Sequence, residues 1–488
     1  MANKLLIKNS LFSFLRAFLS LAFPLISFPY ASRILEPDGI GRINFALSIV
    51  TIFTVIANLG ITSYATRECA KFKTDKIRLS KFVKEILIIN LISALVSYIF
   101  LFITINSIQK LYEYKSLLLI FSFHIIANVF FMDWFYYAID NVKIIPLFSS
   151  LFQILSLIFL FTFVKTKEDL NNYAIFGIIP ICGSAITNFI YSKKYINYRI
   201  KIKLNFKQHI TYLFTFFGMS IVTNLYSIID SSMLGFLSSD FEIGLYTAAI
   251  KINKIIIGLI VSFFTVLLPH LARFQSENSE SKFIKLSQQS IKIIILLTIP
   301  LSIGLYILSK PLIILFCGTA YQDAIIVMKV MTPIVFFIGI TNIIGTQILP
   351  AIQKEKKSLW SYLFGLGVNI FLNHMFIPKF GALGAAYATL FAEFSTMIIQ
   401  TLLIRKYIIN ADLFINLLQT IFSSFVTFIF LFFSVKKTEN IYMQLFIIPI
   451  LSIIIYIICL ILLKNSLILD IKKRIFDKLI FCRRIKDK

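Results

Sequence analysis

The 488-residue chain is short of acids, with 23 Asp and Glu against 48 Lys and Arg. It is also short of cysteine, histidine and tryptophan, with 5, 4 and 2 of each. Each shortage removes a class of explanation. The five cysteines (Cys69, Cys182, Cys317, Cys459 and Cys482) show no paired spacing, so they read as packing or surface thiols rather than a disulfide framework. The four histidines are scattered, and no metal-ligand pattern appears. No glycine-rich phosphate loop is present, which argues against ATP hydrolysis within the chain. No connection between apolar stretches exceeds about 25 residues, so no extracytoplasmic domain is expected. A chain this short of soluble sequence is suited to moving something rather than reacting it, and no enzymatic activity or cofactor is expected.

What is abundant is apolar sequence. Runs about 20 residues long recur from Leu11 to Leu463, and such a run crosses a hydrocarbon core of roughly 30 Å. The chain is 58% hydrophobic and 15% charged, with a mean hydropathy of +0.86, more apolar than a soluble domain tolerates. The runs are continuous rather than alternating, which favours helices over a barrel. Fourteen spans are expected, at 11–32, 42–63, 86–105, 116–138, 145–164, 173–192, 211–237, 244–269, 291–309, 324–350, 359–376, 383–403, 413–434 and 442–463. The expected fold class is thus all-α, a polytopic membrane protein.

Orientation follows from the basic residues. Both termini and every second connection together hold 34 of the 48 Lys and Arg, and the opposite set of connections holds 10. An even span count with both termini cytoplasmic satisfies this bias. The net charge of +25 is then mainly a topology signal directed at anionic membrane lipid. No compact basic domain is available for nucleic acid. The tail 464–488 reads as a basic interfacial helix, with Ile468, Ile471, Ile475, Phe476 and Leu479 on one face. Residues 1–30 read as a retained first helix, because the apolar stretch is too long for a signal peptide and more spans follow at once.

Polar residues within spans are costly in lipid and should face protein or water. Span 1 carries Ser13, Arg16, Ser20, Pro24 and Ser27; span 2 carries Asn44, Ser48, Thr51, Thr54 and Asn58. Span 7 carries Ser220, Thr223 or Asn224, Ser227 and Asp230; span 8 carries Lys251, Lys254, Gly258, Ser262 and Thr265. Steps of three and four place each set on one side of its helix. For the hydroxyls, ordinary helix packing explains the pattern. The charges need more. At 1.5 Å per residue, Lys254 lies about 15 Å and Lys251 about 10 Å inside the span, too deep for Lys254 to snorkel easily. Arg16 and Lys329 lie only about 8 Å from their ends and are within snorkelling reach. A cavity lined by Lys251 and Lys254, with Arg16 as a third candidate, would attract anions, and ammonium groups suit phosphate or pyrophosphate. The intramembrane acids are Asp133, Asp230 and Glu393. Asp133 reads as interfacial. Asp230 is placed to pair with Lys251 or Lys254 or to couple an ion, and Glu393 is a second ion-coupling candidate.

The chain also repeats itself. Ser32-Arg33-Ile34-Leu35 followed by Gly39, Gly41 and Asn44-Phe45-Ala46 parallels Ser232-Met233-Leu234-Gly235 followed by Gly244 and Tyr246-Thr247-Ala248-Ala249. Two six-helix lobes, 1–200 and 201–410, with two added helices in 411–463 and the tail 464–488, would explain this, and paired halves are a common transporter plan.

The stretches FPYASRILEPDGIGRINFALSI (28–49), ANLGITSYATRECAK (57–71), MDWFYYAIDNVK (132–143), DSSMLGFLSSDFEIGLYTAAIKI (230–252), CGTAYQDAIIVMKVMTPIVFFIGITNIIGTQIL (317–349) and GALGAAYATLFAE (381–393) follow one another in the order seen in Wzx-type oligosaccharide flippases. The chain resembles that family, which belongs to the multidrug/oligosaccharidyl-lipid/polysaccharide exporter superfamily. Glu36 departs from the pattern, standing where the family often has Gly after Arg-x-Leu. The resemblance implies fourteen helices in two pseudo-symmetric lobes. It implies alternating access that carries undecaprenyl-pyrophosphate-linked oligosaccharide, for O-antigen or a similar surface polysaccharide, across the bacterial inner membrane. It implies a polysaccharide polymerase and a chain-length regulator as partners. The family's cationic lumen matches Lys251, Lys254 and Arg16. Arg33 and Arg67 match the Arg-x-Leu and Thr-Arg-Glu positions, where gating or headgroup contact competes with simple interfacial snorkelling. Gly39, Gly41 and Gly244 are expected to permit tight turns.

Three alternatives are weaker. A peptidoglycan-precursor flippase of the same superfamily would place several Arg along the first two spans, and span 1 has Arg16 alone. A multidrug cation exporter relies on an acid in the first helix, and span 1 has none. An O-antigen polymerase or ligase needs a sizeable outer loop.

Overall fold

The fold was obtained as a computed structural model. It describes residues 2–141, 143–199, 205–264, 267–277, 279–408 and 411–469, with side chains from residue 22 onward except at 219, 223 and 263. Among the described residues every regular element is helical. In hydrocarbon a helix satisfies its own backbone groups, which is why long apolar runs adopt no other form.

Among the described residues, eleven helices are long and apolar enough to cross a membrane, or twelve when one bent pair is counted as a span. The bent pair is Lys207–Val222 and Asn224–Leu237, which meet at 49°. Two of the eleven, Ala22–Ala70 and Glu355–Ile408, are 49 and 54 residues long. The first is interrupted at Glu36 and again at Leu59 and Gly60, the second at Gly381. Sequence patterning separates spans 1 and 2 at Glu36, and spans 11 and 12 at Gly381, whereas the structure has a kink there with no intervening loop. Span 4 differs as well: it is a helix over Lys115–Phe130, then a short helix over Asp133–Ala138.

The chain forms two compact units by packing. The first comprises Met1–Thr247 with Asn373–Ala385, and the second comprises Ala248–Leu372 with Ala386–Lys488. In both, apolar side chains such as Leu147, Phe163, Phe433 and Leu462 point outward, while serines, threonines and amides are buried. This is the pattern for a protein solvated by lipid. Thr51 and Thr54 donate to the carbonyls four residues back, and Ser232 bonds Ser48. Those parts of the polar stripes serve helix packing.

Contacts within the first unit sort the connections into two groups. At one end, Glu36 pairs with Lys167 at 2.6 Å, Lys110 donates to the Ser238 carbonyl, and Tyr114 donates to Asp240 at 2.7 Å. These join four connections, all of them poor in basic residues. At the other end Lys73 pairs with Asp140, Asn141 donates to Tyr195 and the Asn197 amide donates to Ser80. These residues lie in or beside basic connections. The alternation read from charge is therefore built into the packing of this unit. An aromatic core that includes Tyr64, Phe82, Trp134, Phe135 and Tyr136 fills the basic end.

Candidate functional site

Lys251 and Lys254 lie on the helix Asp240–Phe264, one turn apart. Lys251 is half-buried beside Cys317 and Lys254, and Lys254 is exposed. Between them, Asn253 is buried and donates to the Ala249 carbonyl at 3.0 Å, which marks the packed side of the helix. The two ammonium groups therefore sit toward the less packed side, close enough to repel each other.

Asp230 is buried in the first unit. It accepts hydrogen bonds from Tyr246 at 2.6 Å and from the Asn373 amide at 2.7 Å. Two strong donors make a carboxylate tolerable at this depth. Glu393 is buried in the second unit, near Tyr362. A polar cluster surrounds that position: Gln400 bonds Ser361, Ser358 bonds the Gly345 carbonyl, and residues 342–348 form a π-helix. Arg33 is exposed. Arg67 is exposed in the last turn of the helix Ile61–Ala70, paired with Glu68 at 3.2 Å and with its guanidinium 5.2 Å from the Phe216 ring centroid. The side chain of Arg16 lies outside the described residues, as does the tail from residue 470. Before that limit, Leu467 and Ile468 pack against Leu296, Tyr456 and Leu460.

Asp133 is buried and accepts from Asn188 at 3.2 Å. One expectation is corrected. Gly39, Gly41 and Gly244 lie in helical backbone rather than in turns. Their neighbourhood instead needs close approach. A Cβ on Gly41 would lie 1.8 Å from the Asp240 carbonyl oxygen, and one on Gly244 would lie 2.0 Å from that of Pro37. The segment around 37–41 and the segment 240–244 thus touch backbone to backbone. The contact is reinforced by Tyr114 and Arg42 on the Asp240 carboxylate and by Glu242, which accepts from the Ala382 amide at 2.6 Å.

Sequence reasoning overlooked a second cluster, at the basic end. Glu85, 1% exposed, lies 3.0 Å from one ring nitrogen of His209, whose other nitrogen is 2.7 Å from the Tyr64 hydroxyl. The Asn205 amide donates to the same carboxylate at 2.6 Å. A signal existed: Glu85 is the one acid in the helix Lys76–Ser107, and a lone acid in an apolar helix marks a site by default. No group of His, Cys, Asp and Glu suited to a metal occurs among the described residues.

Comparison with known proteins gives a consistent result. The model of the family described as polysaccharide biosynthesis protein matches residues 6–275, and the MatE family model matches 216–375. The "Putative O-antigen transporter" of Escherichia coli K12 is 24% identical over 393 residues, covering 78% of this chain and 92% of the relative. The capsular polysaccharide biosynthesis protein CapF of Staphylococcus aureus is 24% identical over 403 residues, covering 80% and 98%. Among solved structures, the lipid II flippase MurJ in an inward closed conformation superimposes with a TM-score of 0.72 at 21% identity, covering 95% of this chain and all of that one. At that identity the likeness establishes the fold. With more than half of its length matched by one family model, this chain belongs to the polysaccharide biosynthesis protein family, membrane transporters of the multidrug/oligosaccharidyl-lipid/polysaccharide exporter superfamily.

Proposed function

We propose that this protein is a flippase that carries undecaprenyl-pyrophosphate-linked oligosaccharide, destined for O-antigen or a similar surface polymer, from the cytoplasmic to the outer face of the bacterial inner membrane. Relatives along most of the chain are named for O-antigen transport and capsule synthesis, which supports the class of cargo. The observation that carries the reading is the Lys251 and Lys254 pair. An ammonium near the bilayer centre costs about 3 kcal/mol against lipid, so an exposed lysine in mid-span is best served by an aqueous cavity. A cavity so lined favours a pyrophosphate headgroup and repels cations, which counts against a multidrug cation exporter.

In this reading the two long helices are each two spans. At 1.5 Å per residue, 49 and 54 residues would run on the order of 75–80 Å, more than twice a bilayer core. Counting each as a pair gives fourteen spans, in two six-helix lobes over 1–200 and 201–410 plus two helices, with both termini cytoplasmic. Alternating access would part the 37–41 and 240–244 segments. Arg33 and Arg67 serve as headgroup or gating residues, Arg16 adds to the cavity charge, and Asp230 or Glu393 offers a coupling or charge-pairing site. A polymerase and a chain-length regulator would act on the delivered units.

The test is the double replacement Lys251→Ala and Lys254→Ala in a strain dependent on this gene for surface polysaccharide. The protein is expected in the membrane at normal level and surface polymer is expected to fall at least tenfold. Normal polymer in that strain would overturn the cationic-cavity mechanism.

A further inference from the structure

The second unit contains a cavity that none of the transport residues touch. It lies where the helices Glu280–Cys317, Ala324–Met331, Ala411–Lys437 and Met443–Leu462 come together, and it encloses about 590 Å3. That is within the range of small-molecule sites, roughly 300–1,000 Å3. Its composition is divided. Ile314 and Phe432 contribute apolar wall, while Lys310, Lys329 and Lys436 contribute three cations against the single carboxylate of Glu439. Among the described residues none of the three lysines and no oxygen of Glu439 takes part in an ion pair. Lys329 is held over the Tyr306 ring at 5.4 Å.

Three ammonium groups from three different helices converge on one space. Each is on or beside a segment that the charge pattern assigns to the sparsely basic end, so the orientation rule that explains most of the other lysines does not account for these. Mutual repulsion disfavours the arrangement unless an anion completes it. The apolar wall continues onto side chains that face lipid, since Tyr306, Phe432 and Tyr442 are all exposed. A purely aqueous anion would leave that surface uncovered. A lipid whose headgroup carries a phosphate would satisfy both halves.

We propose that this cavity is a binding site for the headgroup phosphate of an anionic phospholipid, with Lys310, Lys329 and Lys436 on the phosphate and the acyl chains along Ile314 and Phe432. The site is separate in residues from Lys251 and Lys254, so its failure and the failure of the flippase reading are distinguishable.

The experiment uses the purified full chain, titrated with phosphatidylglycerol in a phosphatidylcholine background. Retained lipid is read by native mass spectrometry and protection by thermal unfolding. Wild type should retain phosphatidylglycerol in preference to phosphatidylcholine. The triple variant Lys310→Gln, Lys329→Gln and Lys436→Gln should bind it on the order of a hundredfold more weakly, at about fivefold per lost cation. The charge-preserving Lys→Arg triple should stay within about threefold of wild type by the same charge count, which separates loss of charge from loss of fold. Glu439→Gln should bind about fivefold more tightly, a gain that misfolding cannot mimic. Equal retention by wild type and the Gln triple would overturn the proposal. So would protection by inorganic phosphate alone with no preference between the two lipids.

Discussion

Glu36 holds φ at 57° with ψ at −178°, a combination that residues other than glycine avoid and that costs of order 1–3 kcal/mol. Its pairing with Lys167 joins two exposed side chains, and an exposed pair returns less than about 1 kcal/mol. Strain therefore exceeds compensation. Replacing Glu36 by Gly should raise the unfolding free energy of the solubilised protein by about 1 kcal/mol, read by thermal or denaturant unfolding, while Lys167→Gln should change it little. The departure from the family's glycine was visible in the sequence; the conformation it had to adopt was not. His209 is the opposite case. Its imidazole bridges Glu85 and Tyr64, so His209→Ala would leave a buried carboxylate short of a partner. A loss on the order of 3 kcal/mol is expected, measured by the same unfolding assay, with Glu85→Gln milder because both oxygen positions keep polar atoms.

At the scale of elements, the backbone contact between 37–41 and 240–244 is the feature that local patterning misread. Glycine beside a predicted span end suggests a turn, yet the need for it is set by a carbonyl some 200 residues away in the chain, at Asp240 for Gly41 and at Pro37 for Gly244. A single sequence carries no sign of that partner. Gly244→Leu should prevent the segments from closing. Expected results are membrane levels near wild type, loss of most surface polymer, and increased accessibility of a cysteine placed at Asp38 to a membrane-impermeant thiol reagent. The spans themselves were legible because apolar length and basic flanks are local properties. The kinks at Glu36 and Gly381 fall between apolar runs that composition separates, but the absence of a loop at either was not legible. The role of Glu85 was lost because the third span was taken to begin at residue 86, one position beyond it.

On the scale of the whole molecule, the alternation of basic and non-basic connections is matched by the contacts of the first unit, and it yields a direct test. With the five native cysteines replaced by serine, Lys167→Cys should react with an impermeant reagent added to intact spheroplasts, and Lys356→Cys should react only after the membrane is opened. The reverse pattern would invert the orientation. Charge bias is legible in a single sequence because it acts on each connection independently. Lys251 and Lys254 stand out in the sequence for a similar reason, as charges within an apolar run. The partners of Asp230 were not, because one of them, Asn373, is 143 residues further along.

That separation has a consequence for how the chain is made. The first packing unit includes Asn373–Ala385, so it stays incomplete until most of the polypeptide has left the ribosome. At 5–20 residues per second, Asn373 follows Asp230 by roughly 7–30 s. During that interval the aspartate, already threaded into the bilayer, lacks the bond from Asn373 that later helps anchor it. The newborn protein thus passes through a stage in which a buried acid awaits one of its donors, a window in which the insertion machinery, or premature proteolysis, decides how many copies mature.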